Sequence, residues 1–249
     1  MKKTCYMCDK PGKKTKEHVP PECFFPEQKD IPKGLDFRKN LITVPACDEH
    51  NLHNSKDDEY LKTIIALHWR NNQAGYEYSM VKIMRSFKLK EKKGLWDLFF
   101  GQGTHHQFFN FQGEELVTMP LDIARFNSEM DKIARGIYFY QFKQKAREKV
   151  IIFSRSLSAI MREPNSIMNT LAQTNEASRL LCILEPKYGE NPDIFYYQFV
   201  QSTAQTPSIR PSGIMVLTQV MSTTMQLVFY DGFEVTARFR ESALQQSNL

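Results

Sequence analysis

The chain has 249 residues, of which 41% are hydrophobic and 24% charged, with a formal net charge of +5. That composition fits a globular protein with a buried core, in one large domain or two smaller ones, and excludes a fibrous or disordered chain. The charge is compatible with a polyanionic partner but too mild to identify one. The opening MKKTCYMCDK has basic residues with no apolar run behind them, which is not a secretory pattern, and no stretch approaches the about 18 consecutive apolar residues of a membrane span. A cytoplasmic protein without a membrane partner is therefore expected. Five cysteines, an odd number, argue against a disulfide framework.

Residues 1–56 are rich in Cys, His, Pro, Lys and Asn and poor in apolar runs, so they need a staple to fold. In KTKEHVPPECFF, residues 14–25, Glu17-His18-Val19 reads as a short strand stopped by Pro20 and Pro21. Leu41–Val44 reads as a second strand, ended by Pro45. A helix follows from Asp48, which suits an N-cap, and continues to about residue 72 with Leu61, Ile64, Ile65, Leu67 and Trp69 on its apolar face. A second helix is expected over YEYSMVKIMRSFKLKEKK, and GQGTHHQFFNFQGEE (101–115) reads as a loop or hairpin. Residues 121–149 read as one long helix with Ile123, Phe126, Met130, Ile133 and Ile137 inward. KVIIFS, DIFYYQFV, GIMVLTQVM and MQLVFYDGFEV have strand composition, while NSIMNTLAQTNEASRL is an ambiguous helix. The fold class expected is α+β: a small stapled ββα module over 1–56, then a domain of helices and an antiparallel sheet over 57–249.

Cys5-Tyr6-Met7-Cys8 and Cys47-Asp48-Glu49-His50 are two pairs with the same two-residue gap. Three thiolates and an imidazole make a Cys₃His set suited to a structural Zn²⁺. The bland alternative is that Cys47 is buried apolar filler and His50 a surface residue.

The order Cys-x-x-Cys, Glu-His, Asn-Leu, Cys-x-x-His-Asn, on knuckle, strand, strand and helix, resembles the HNH endonuclease family and its ββα-metal fold. The resemblance covers about residues 5–56. Two departures stand out: His50 ends the second pair where many members have Cys, and the Val19–Asn40 loop is long. The resemblance implies a metal-dependent endonuclease acting on DNA, with RNA left open as substrate. It implies His18 as general base, a role an imidazole of pKa about 6.5 suits near neutral pH. Glu17 and Asn51 are implied as ligands of a catalytic Mg²⁺ or Mn²⁺, with Asn54 a second choice on the helix and His53 a third. Asn40 corresponds to the family asparagine that holds the loop and orients the histidine. Adjacent residues of a regular strand diverge, so Glu17 and His18 share one site only if the strand bends there.

Other features have plainer readings. Asp57-Asp58-Glu59 are expected to be solvated acids favourable to a helix start. Lys56 reads as a phosphate contact or a counter-charge to them. His105-His106 lack a nearby Cys or acidic partner, and KIMRSFKLKEKK reads as a solvated helix face or a phosphate-contacting one. The aromatics of GIYFYQF and DIFYYQFV fit core packing better than base stacking. Residues 57–249 match no recognised motif and leave room for a homo-oligomer or a partner protein. Architectures of this kind suggest bacterial defence or a mobile element. The competing class is a catalytically inactive zinc-binding module that engages nucleic acid or protein.

Overall fold

Prolines on both sides of the N-terminal strands leave room for only short pairings. In the computed structural model, β1 (Lys16–His18) pairs antiparallel with β2 (Thr43–Pro45), Glu17 opposite Val44 and His18 opposite Thr43. Val19 N donates to Ile42 O (3.0 Å), extending the ladder by one bond, and the Val19–Pro20 peptide is cis. The structure describes residues 4–12, 16–31, 34–51, 55–79, 81, 107–109, 115–117, 121–158, 176–177, 179–209 and 215–241. Asn54, His53, His105, His106, the 82–93 basic run and residues 165–175 lie outside them.

After β2 come α1 (Asp48–Asn51) and α2 (Ser55–Ala66). Asp48 is the first residue of α1. The expected helix to residue 72 stops at Ala66, because Asn71 Nδ2 takes the carbonyls of Ile65 (2.7 Å) and Ala66 (3.2 Å) and folds the chain back. Leu61, Ile64 and Ile65 are buried as the pattern requires, but Trp69, beyond the break, is 81% exposed. α3 (Gln73–Tyr78) begins at Asn72, whose side chain accepts from Gly75 N (3.1 Å). β3 (Gln107–Phe109) and β4 (Glu115–Val117) form a hairpin.

α4 (Ile123–Phe142) is capped by Asp122, whose carboxylate accepts from Arg125 N (2.9 Å). Phe126, Met130, Ile133 and Ile137 are buried at helical spacing, as expected, whereas Ile123 is half-buried. The helix ends seven residues before 149: Lys143 takes the left-handed conformation (φ 57°), and Arg135 binds the carbonyls of Ala146 and Glu148.

The main sheet has the order β5-β9-β8-β7-β6, antiparallel throughout: β5 (Ile151–Ser154), β6 (Tyr188–Asn191), β7 (Phe195–Ile209), β8 (Met215–Phe229) and β9 (Phe233–Glu241). α5 (Arg155–Ser158) follows β5. Met215–Met221 of GIMVLTQVM and the first part of MQLVFYDGFEV lie in the single strand β8, and YDG is the turn into β9. Tyr230 and Asp231 both sit at positive φ (48° and 54°), with Gly232 N donating to Phe229 O (3.1 Å).

Strand alternation gives the sheet two covered faces. One packs on α4: Phe142 meets Phe199 edge-on (centroids 5.2 Å), Tyr138 meets Phe239 (4.7 Å) and Phe126 meets Phe233 (6.1 Å). The other buries Gln198, Thr224, Gln226 and Thr236 beneath the segment 179–185, whose Ile183 and Glu185 carbonyls accept from Gln198 Nε2 (3.3 and 2.6 Å). The core is continuous from Cys5 to Phe239. Phe24 packs edge-on against Phe229 (5.8 Å), and Tyr230 Oη donates to Phe24 O (2.5 Å).

Candidate metal centre and its acidic neighbourhood

The knuckle that carries Cys5 and Cys8 is closed by local backbone bonds. Cys5 N donates to Lys10 O (3.0 Å), and Thr4 bridges Pro11. Tyr6 N donates to Pro45 O (2.8 Å), fixing the knuckle to the end of β2 two residues before Cys47. His50 N donates to Cys47 O (3.1 Å), so α1 delivers the imidazole back toward its own first turn. Cys5 and Cys47 are buried, and Cys8 and His50 are half-buried.

The four ligand atoms lie within 4.8 Å of one another, the one such His/Cys/Asp/Glu group among the described residues, and they can hold a metal ion. Cys8 Sγ is 3.7 Å from Cys47 Sγ, and His50 Nδ1 is 3.5 Å from Cys5 Sγ, 3.7 Å from Cys8 Sγ and 3.1 Å from Cys47 Sγ. Metal–sulfur bonds of about 2.3 Å and metal–nitrogen bonds of about 2.0–2.1 Å give tetrahedral edges of about 3.8 Å for S···S and about 3.6 Å for S···N. Four of the six edges are therefore close to those of a metal-filled tetrahedron, tightest on the Cys47–His50 edge. Met7 N also donates to Cys5 Sγ (3.4 Å). Burial raises the Cys47 thiol, but hydrogen bonds from the His50 side chain and backbone outweigh it and bring the pKa down to about 7. At the rim, Lys145 Nζ donates to Cys8 O (2.7 Å) and to the Asp9 carboxylate (2.9 Å), and Lys10 pairs with Glu49.

β1 leads away from the cluster and carries Glu17 and His18. His18 is half-buried, and its side chain has no hydrogen-bond partner among the described residues. Glu17 faces two further acids, Asp58 of α2 and Glu129 of α4. Burial, then the charge of Asp58, pushes the Glu17 carboxyl up to about 7, against the pull of Lys132. Burial and Glu129 push Asp58 up to about 7 as well. Glu129, only 5% exposed, is raised by burial even though Lys132 Nζ donates to it (2.6 Å). These oxygens do not converge as closely as the cysteine cluster does.

The acidic run at the start of α2 departs from the expected solvated face. Asp57 accepts from Arg125 Nε (2.7 Å), and Asp58 is turned inward. The reason is tertiary: α4 lies across α2 and covers that turn. Asp58 and Glu129 had no local signature, since their partner Glu17 is far away in the chain. Asn40 is exposed and sits at φ 56°, a left-handed conformation that asparagine tolerates better than most residues, at the turn into β2. It lines a narrow cleft with Val19, Pro20 and Ile42. Asn51 ends α1, half-buried, directly after His50.

Comparison of the chain with protein-family models, with characterised proteins and with solved structures finds no match.

Proposed function

We propose that the chain is a metal-dependent endonuclease of the HNH type that hydrolyses phosphodiester bonds in DNA, with Zn²⁺ in the Cys5–Cys8–Cys47–His50 cluster as a structural ion. The observation that carries this reading is the position of that cluster. It ties the knuckle to the end of the β1–β2 hairpin and the start of α1, and β1 carries a half-buried histidine with no hydrogen-bond partner among the described residues. A Cys₃His tetrahedron with these edges suits zinc in its closed, structural form.

In this reading His18 accepts a proton from the attacking water at a ring nitrogen. Asn40, at its left-handed turn, is a positioning residue for the loop that follows the histidine strand. Glu17 and Asn51 would hold a Mg²⁺ or Mn²⁺ ion, which would supply charge neutralisation for the phosphate and the leaving oxygen. The donor chemistry fits such an ion: Glu17, Asp58 and Glu129 offer carboxyl oxygens, the hard donors that Mg²⁺ and Mn²⁺ take, close enough for their charges to act on one another.

A second reading, a zinc-stapled binding module without catalysis, is favoured by the direction of Glu17. Its carboxylate faces α2 and α4, and the alternation of a regular strand sends His18 to the opposite side. A nicking assay on supercoiled plasmid with Mg²⁺ or Mn²⁺, beside linear and single-stranded DNA and RNA, separates the two. The endonuclease predicts metal-dependent cleavage that His18→Ala abolishes while zinc content and melting temperature are kept. Folded, zinc-containing protein that cleaves none of these substrates supports the binding module. Equal cleavage by His18→Ala removes the histidine from the mechanism.

A further inference from the structure

The 3₁₀ turn Gln28–Asp30, the loop 34–37, α3 and the turn before β7 border an open cavity of about 340 Å³. Its volume lies in the range of small-molecule sites, about 300–1,000 Å³. Leu35, Phe37 and Tyr78 give it an apolar wall, and the carboxyl-bearing residues Asp30, Glu77 and Asp193 stand around it. Among the described residues no lysine or arginine lines it, although the chain as a whole carries net charge +5. Neither Glu77 nor Asp193 has a basic partner at ion-pair distance among the described residues.

The lining is held in place by its neighbours. Gln73 Nε2 donates to Glu77 Oε1 (2.8 Å), and Asn72 Nδ2 donates to Asp193 O (2.7 Å), which pins the turn. Tyr78 Oη donates to Cys23 O (3.0 Å), and its ring stacks on Tyr230 (centroids 6.2 Å). Carboxylates of one sign around a low-dielectric wall focus a negative potential into the space between them. An anion is repelled there, and a neutral ligand gains only from the wall.

We propose that this cavity is a binding site for a small organic cation, a primary ammonium or a guanidinium carried on an apolar body. The charged head meets Asp30, Glu77 and Asp193, and the body covers Leu35 and Phe37. The aromatic rings add attraction for the cation where it crosses their faces. The site shares no residue with the cysteine cluster, β1 or β2, so it stands or falls apart from the nuclease reading.

Isothermal titration of the 249-residue chain with phenethylammonium, and with the similarly shaped phenethyl alcohol and phenylacetate, tests it. One-to-one saturable binding of the ammonium is expected, at least about tenfold tighter than the alcohol, with no binding of the carboxylate. The Glu77→Gln/Asp193→Asn variant should weaken the ammonium at least about fivefold and leave the alcohol unchanged. Both side chains are on the surface, and an unchanged melting curve confirms the fold of the variant; Asp193→Asn alone serves if the double variant melts early. Three results would each overturn the proposal: no saturable binding of the ammonium, ammonium and alcohol binding alike, or a folded variant that titrates like the parent chain.

Discussion

The approach of α4 to the histidine strand is tight enough to be tested by a double substitution. Gly136 lies on the buried side of α4, and a Cβ built there would stand 2.5 Å from Val19 Cγ1 and 3.1 Å from Val19 Cγ2. Ordinary contact begins near 3.4 Å, so Gly136→Ala must push helix and strand apart by about 1 Å or turn the valine. Overpacking of this kind costs about 1–3 kcal/mol, offset by about 1 kcal/mol of helix propensity gained over glycine. Val19 is 3% exposed, and Val19→Ala removes two buried methyl groups, costing about 1.5 kcal/mol in transfer and about 2–3 kcal/mol with the cavity. In the double variant the new methyl occupies the space the valine vacates. The two changes should therefore couple favourably by about 1–2 kcal/mol, read from urea unfolding of all four proteins at 25 °C. Costs that add to within about 0.5 kcal/mol would refute the contact and, with it, the seating of β1 against α4.

Three further outcomes are expected. Protein purified without chelator should contain one zinc per chain by elemental analysis, and Cys47→Ser should lose both the metal and the cooperative melt. Structural zinc is worth about 10–16 kcal/mol in small peptides, and even a third of that is a large part of a stability of about 5–15 kcal/mol; metal-free protein that melts unchanged would contradict this. Glu17 and Asp58 have folded pKa values raised to about 7 from ordinary carboxylate values, so their contribution is present below about pH 4 and is lost as pH rises through 7. Asp58→Asn should accordingly stabilise the protein above pH 7 by about 1–2 kcal/mol after allowance for partial exposure, and not at pH 4; melting curves of both proteins across that interval would expose a difference that does not depend on pH. Tyr230→Phe leaves the Phe24 carbonyl without its buried donor and should cost about 1–3 kcal/mol in urea unfolding, whereas a cost under about 0.3 kcal/mol would mean the bond is replaced by water.

The parts of this molecule that are legible in its sequence are those set by local spacing. Two pairs with equal gaps brought Cys5, Cys8, Cys47 and His50 together, and the 3.6-residue period placed Phe126, Met130, Ile133 and Ile137 on the inner face of α4. The parts that escaped depend on distant or disguised partners. Trp69 fits the apolar pattern of α2, but a side-chain amide five residues beyond Ala66 ends the helix before it. The β8–β9 turn hides behind Tyr230 and Asp231, which hold positive φ without being glycine, because Ile194 O and Asn72 N take the Tyr230 backbone groups. Asp58 reads as one of three solvated acids until α4 is folded across it.

The hydrogen bond from Tyr230 to Phe24 joins residues 206 positions apart, and at the same hairpin a Cβ on Gly232 would meet Arg70 O at 2.2 Å. For anyone wishing to transplant the first 56 residues onto another carrier, the Phe24–Tyr230 bond and the Val19–Gly136 contact are the obstacle. Phe24 and Val19 would lose the surfaces that cover them, and the graft would need replacements for Phe229, Tyr230 and the glycine face of α4. A larger residue at Gly136 calls for a smaller one at Val19, whereas at Gly232 the obstacle is the Arg70 backbone itself, which no change of side chain removes.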